Sequence, residues 1–217
     1  MFLILLIVIA YLIGSIPTSI IFGKLLRGID IRDYGSHNPG ATNTFRVLGK
    51  KIGITVGALD ILKGFFAVFI LPGLVPPDTW APEDIRSIAA GFAAVAGLMW
   101  TVFAGFSGGK GVGTSFGVFL GLAPLPSLIT LAVWCSITFS TGYVSLGSVV
   151  SAVVLPTAVI VEGLVRGHVS LPISGIAVIL GVLVIVRHRS NISRLLKGEE
   201  SRFGRKESNE DSCSGSG

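Results

Sequence analysis

Seven apolar stretches parted by short polar segments limit what this chain can fold into. They run over about residues 2–23, 53–75, 85–104, 111–123, 125–142, 147–165 and 170–186. A helix needs about 20 apolar residues to cross a bilayer core. The fourth and fifth stretches lie near or below that length, and "GLAPLPS" (121–127) divides them, because Pro124 and Pro126 disfavour one continuous helix. The residues are 51% hydrophobic and 13% charged, where a soluble domain carries roughly 25% charged residues. The expectation is an all-α integral membrane protein of seven transmembrane helices.

Charge placement sets the expected orientation. With seven spans and the N-terminus outside, fourteen of the seventeen lysines and arginines fall on the inner side. Arg86 and Arg166 fall outside, and Lys63 lies within a span. This is the positive-inside pattern. Merging the fourth and fifth stretches would leave six spans and put the basic N-terminal loop and basic tail on opposite sides. The first stretch lacks a basic leader and exceeds 7–15 apolar residues, so it reads as a span and not a signal peptide. Residues 1–198 form one expected transmembrane domain, and the polar residues 199–217 an expected disordered tail. A net charge of +5 would suit nucleic acid in a soluble chain; here the charges mark topology and no nucleic acid partner is expected. Cys135 lies in an apolar run and Cys213 in the tail, so no disulfide is expected.

Small residues recur every four positions at Gly113, Gly117 and Gly121, and at Ser15, Ser19 and Gly23. That spacing lets helices approach closely. Asp60 and Lys63 lie inside the second span at i, i+3 and read as a structural pair.

Three polar, glycine-bearing segments fall on the inner side, so the chemistry is expected there. The first, residues 28–46, offers Ser36, Asn38, Thr42 and Asn43 as hydrogen-bonding groups and Arg46 as a planar fork for phosphate. Its "NPG" also fits a plain turn before a helix. The second, "GFSGGKGVGT" (105–114), sets Lys110 among glycines. It is not a Walker A loop: Ala104 and Gly111 stand where that motif needs glycine and Ser or Thr. N–H groups of Gly108, Gly109, Gly111 and Gly113 are expected to form an anion nest with a helix start and Lys110. A lysine snorkelling at a membrane edge is the plainer alternative. The third, residues 187–200, places His188 and Asn191 among basic residues that otherwise suit anionic lipid. A shorter inner loop, residues 140–148, holds Ser145. The histidines lack metal-ligand spacing, so no metal is expected.

Four motifs, "GSIP" (14–17), "DIRDYGSHNPGATNTFR" (30–46), "GGKGVGT" (108–114) and "HRSNISRLLKGEE" (188–200), resemble the bacterial membrane glycerol-3-phosphate acyltransferases that use acyl phosphate, the PlsY family. The resemblance runs from about residue 10 to 203. It implies a seven-helix enzyme of the inner membrane with a cytoplasmic site and no cofactor. Its substrates are glycerol 3-phosphate and acyl phosphate, and its products lysophosphatidic acid and phosphate. By motif, Ser36, Thr42, Asn43 and Arg46 belong to the first loop, with Arg46 on phosphate. Gly108, Gly109 and Lys110 form a second phosphate-binding part, Ser145 joins from the fourth inner loop, and His188 and Asn191 close the site. With no Ser-His-Asp set visible, direct attack without an acyl-enzyme is expected, the proton going to a substrate phosphate oxygen or His188.

Two motifs depart from the family pattern. Leu98 stands where histidine is expected and Thr101 where proline is; His37 replaces a flexible glycine. A transporter or flippase of a phosphorylated small molecule is the competing class, but no internal repeat supports it. An inactive family member with a binding role would rest on Leu98 and His37 alone.

Overall fold

The computed structural model describes residues 1–77 and 81–202. Among these residues every regular element is a helix. In chain order they are α1 (Phe2–Ser15), α2 (Thr18–Arg27), α3 (Ala41–Leu48), α4 (Lys50–Phe69), α5 (Leu71–Leu74), α6 (Glu83–Met99), α7 (Val112–Leu122), α8 (Pro124–Thr141), α9 (Val144–Val165), α10 (Leu171–Arg187) and α11 (Arg189–Lys197).

Each apolar stretch is helical, but the helices differ in reach. Five segments are long and apolar enough to cross a bilayer: Phe2–Arg27, Lys50–Phe69, Glu83–Ala104, Pro124–Thr141 and Val144–Val165. A sixth arises if α10 and α11 count as one span bent by 56°. The fourth stretch is an 11-residue helix, α7, which at 1.5 Å per residue spans about 16 Å, half of a bilayer core. The break in "GLAPLPS" falls at Ala123, where Pro124 opens α8. A proline is well placed there, because the first N–H of a helix needs no partner.

Close packing of small residues assembles the bundle. A Cβ on Gly64 would sit 2.1 Å from the Thr114 carbonyl oxygen, and one on Gly117 would sit 1.9 Å from that of Ile61. The backbones of α4 and α7 therefore meet directly, and the Gly113–Gly117–Gly121 stripe faces α4. In the same way Gly14 meets Ala94 and Gly97 meets Tyr11 between α1 and α6. Larger side chains fill the other side, where Met99, Val118, Phe119, Ala152, Leu155 and Leu180 share one core.

Buried charges hold two irregular points. Lys63 Nζ lies 2.7 Å from Asp60 Oδ1 and donates to the Ile16 carbonyl at 2.9 Å. Thr18 Oγ1 donates to the same carboxylate oxygen at 2.8 Å. The Asp60–Lys63 pair is thus structural, and it pins the break between α1 and α2 at Pro17. Arg86 is buried and donates to the carbonyls of Pro72, at 2.8 Å, and Val75, where α5 leaves those groups without helical partners.

Candidate active site

Lys110 stands one residue after a glycine pair whose shape the end of α6 dictates. Gly108 N–H donates to the Met99 carbonyl at 3.2 Å, and Gly109 N–H to the Leu98 carbonyl at 3.1 Å. A Cβ on Gly108 would meet the Leu98 oxygen at 1.9 Å, so only glycine allows this approach. Gly111, at φ +81°, turns the chain into α7 from the left-handed region.

These bonds correct the expected nest. The N–H groups of Gly108 and Gly109 are committed to α6 and are not available to an anion. Among the described residues, those of Lys110, Gly111, Val112 and Gly113 make no hydrogen bond. The unpaired N–H groups thus begin at Lys110 and run into the first turn of α7, at the positive end of its dipole.

The third polar segment meets this loop from the other side. Lys110 Nζ donates to Asn191 Oδ1, across 81 residues of sequence. Asn191 is buried, and its Nδ2 donates to Glu200 Oε1 at 2.6 Å. The other Glu200 oxygen accepts from Arg194 Nε at 2.7 Å. Ser145 Oγ, buried at the start of α9, lies near the same carboxylate without closing a hydrogen bond. Arg46 Nη2 donates to the Ser201 carbonyl at 3.1 Å, bringing the first segment to the same cluster. Lys110, Asn191, Ser145 and Arg46 therefore converge from three segments and the fourth loop.

His188 occupies the bend between α10 and α11 and is 3% exposed. Its Nδ1 faces the Val184 carbonyl at 2.8 Å. A carbonyl can only accept, so Nδ1 carries the proton and Nε2 keeps a free lone pair.

Burial and neighbouring charge tune these groups. Burial pushes the Lys110 ammonium down to about 8; Arg194, Arg46 and Arg187 push the same way against the opposing pull of Glu200. Burial and the Lys110 charge push His188 down to about 4, so its imidazole is neutral at pH 7. Burial alone would raise Glu200, but Asn191, Ser145 and Arg194 outweigh it and hold the carboxyl below its usual range.

Other expected contacts fall elsewhere. Asn43 is buried and spent within its own loop: Oδ1 accepts from Ser36 N–H at 2.8 Å, and Nδ2 donates to the Ile31 and Tyr34 carbonyls. It shapes the first segment and has no donor left for substrate. Ser36 is exposed, and Asn38 and Thr42 are half-buried. Among the described residues none of their side chains hydrogen-bonds Lys110, Asn191 or His188. Arg32 Nη1, by donating to the Ala104 carbonyl at 3.0 Å, ties this segment to the glycine loop.

The two departures are absorbed locally. Leu98 is buried and anchors Gly109 through its backbone, which any residue there would supply. Thr101 donates a side-chain hydrogen bond to the Ser15 carbonyl that a proline could not make. His37 adopts φ +56°, the left-handed region that favours glycine, and its ring Nδ1 bonds back to the Arg32 carbonyl at 2.9 Å.

Glu200 and Arg187 lie in the third polar segment, but the sequence assigned neither a role in the site. Glu200 falls in the stretch expected to begin a disordered tail, yet residues 199–202 fold against the cluster; from residue 203 on, that tail lies outside the described residues. Arg187 reads from sequence as one more topology charge. In the fold its Nη2 donates to the carbonyls of Met99 (2.8 Å), Gly108 (3.1 Å) and Gly109 (3.1 Å).

An all-helical bundle with apolar spans and a cationic cluster built from separated loops defines a class: integral membrane proteins with a polar site at the ends of their helices. The sequence model of the family described as glycerol-3-phosphate acyltransferase matches residues 4–198. The chain belongs to that family. A glycerol-3-phosphate acyltransferase of Thermoanaerobacter sp. is 45% identical over 95% of this chain and 98% of its own length. One of Chlorobium phaeobacteroides is 42% identical over 92% and 96%. The crystal structure of PlsY (YgiH), an integral membrane glycerol 3-phosphate acyltransferase, in its glycerol 3-phosphate form superposes with a TM-score of 0.82 at 40% identity. It covers 93% of this chain and 96% of that one. A second crystal structure of PlsY, in its lysophosphatidic acid form, gives a TM-score of 0.78 at 40% identity.

Proposed function

We propose that this chain transfers a fatty acyl group from acyl phosphate to the sn-1 hydroxyl of glycerol 3-phosphate at the cytoplasmic face of the inner membrane. The products are lysophosphatidic acid and phosphate. The observation that carries this reading is the meeting of Lys110 with Asn191 beside the buried, neutral His188. A cation, an amide and an imidazole lone pair at one loop junction suit one phosphate and one hydroxyl. The glycerol 3-phosphate and lysophosphatidic acid forms of PlsY support the same substrate and product.

The transfer is written as direct attack. The hydroxyl oxygen bonds to the acyl carbonyl carbon, the carbon–oxygen bond to phosphate breaks, and phosphate leaves with the electron pair. The hydroxyl proton goes to a phosphate oxygen, whose second pKa is near 6, in preference to His188 at about 4. His188 Nε2 accepts a hydrogen bond from the hydroxyl and orients it. Among the described residues His188 makes no hydrogen bond to a serine, which supports transfer without an acyl-enzyme. Lys110 and Arg46 hold phosphate charge, and no cofactor is required.

The test is phosphate release by the purified protein in detergent with palmitoyl phosphate and glycerol 3-phosphate. Release that depends on both substrates is expected. No release above a protein-free blank, or an isolated acyl-serine, would overturn this reading.

A further inference from the structure

Arg187 is a cation beside the site that the proposed reaction leaves unused. Its guanidinium has no carboxylate within ion-pair distance among the described residues. It lies 5.7 Å from the centre of the Trp100 ring, a cation–π distance, and one of its nitrogens serves the carbonyls of Met99, Gly108 and Gly109. Three acceptors on one nitrogen make a precise constraint on those peptides.

The constraint has a direction. Among the described residues every peptide is trans, and in a trans peptide the C=O and N–H point opposite ways. The Gly108 carbonyl faces Arg187 and the following N–H, of Gly109, faces Leu98. The Gly109 carbonyl also faces Arg187, so the Lys110 N–H is turned away from it. That N–H makes no hydrogen bond among the described residues. Arg187 also directly precedes His188. One side chain therefore joins the glycine loop to the segment carrying His188 and Asn191.

We propose that Arg187 is a positioning residue for anion capture: it turns the Gly109–Lys110 peptide so that Lys110 presents its own N–H, beside its ammonium, to a phosphate. It also keeps that loop in register with His188 and Asn191. This rests on the reading of Lys110 as a phosphate ligand. Without Arg187 the peptide can rotate, and the anion loses a fixed donor while the bundle stays intact.

The experiment compares full-length wild type, Lys110→Ala, Arg187→Gln and Arg187→Lys in detergent. Initial rates are measured against palmitoyl phosphate and glycerol 3-phosphate in turn, and thermal melting is followed in parallel. Arg187→Gln is expected to raise, about tenfold, the KM of the same substrate whose KM Lys110→Ala raises, with kcat changed far less and melting preserved. Guanidinium ion at a few millimolar is expected to bring that KM back. Arg187→Lys keeps N–H donors for these carbonyls but loses the planar guanidinium that lies against Trp100, and is expected to raise it about threefold. Unchanged KM values in Arg187→Gln, or a fall in kcat alone with lowered melting, would overturn the proposal. If Arg187→Gln is not recovered folded, an unchanged KM in Arg187→Lys overturns it. If Lys110→Ala alters neither KM, the phosphate reading of Lys110 fails first. An effect of Lys110→Ala without one of Arg187→Gln sinks this inference alone.

Discussion

At the scale of the residue, protonation decides what the site can hold. The Lys110 ammonium loses its proton near pH 8 because burial and neighbouring arginines oppose the charge. Phosphate binding that needs the charged form is lost as pH rises through that value. The expected kcat/KM for the phosphate substrate therefore falls above about pH 8, approaching tenfold per unit. The limb in kcat lies at higher pH, because bound phosphate favours the ammonium. Steady-state kinetics from pH 6 to 10 check this. Glu200 carries the opposite sign. Its lowered pKa adds stability above the ordinary carboxylate pKa, and that stability is lost as pH falls through the folded value. Glu200→Gln keeps the shape but loses the charge that Arg194 meets. One amide oxygen replaces two carboxylate oxygens, so the variant can accept in place from Asn191 or from Arg194 but not from both; kcat is expected to fall about tenfold and the melting temperature at pH 7 to fall. An unchanged variant in both assays would remove Glu200 from the site.

At the scale of the element, backbone contact between helices controls stability. Gly117 lies against the Ile61 carbonyl with no room for a methyl group. Gly117→Ala must push α7 off α4, and overpacking of this kind costs about 1–3 kcal/mol. Thermal melting in detergent is expected to show that loss. Gly108→Ala meets an equally close carbonyl but in the loop. Its expected effect is a raised KM for the phosphate substrate with a smaller change in melting. The contrast follows from position: Gly117 joins two helices, whereas Gly108 joins α6 to the loop that carries Lys110. The i, i+4 recurrence of small residues was enough to predict the stripe on α7. The partner of Gly108 was not predictable, because a lone glycine in a loop reads the same whether it frees an N–H or allows a carbonyl to approach.

At the scale of the whole molecule, the helix lengths and the charge pattern bear on topology together. The short α7 and the bend at His188 complicate a count of full-length spans, yet the basic residues still favour the N-terminus outside and the tail inside. Cys213 is then expected to react with a membrane-impermeant maleimide only after the cell is opened, in a Cys135→Ser background. Labelling in intact cells would reverse the assignment.

The sequence by itself determined that this chain is a helical membrane bundle, because its apolar runs have lipid-spanning length and its breaks carry proline and glycine. Its polar segments singled out Lys110, Arg46, His188 and Asn191, which a lipid environment would otherwise exclude, and the family resemblance added Ser145. Only the tertiary structure decided which polar groups are already spent. Asn43 faces its own loop, Gly108 and Gly109 give their N–H groups to α6, and Glu200 folds back onto Asn191. The physical reason is that a hydrogen-bonding group has few partners to give, and those partners come from residues far away in the chain. Arg187 shows the same limit, since a guanidinium after a last span reads as a charge until the three carbonyls it holds are in place.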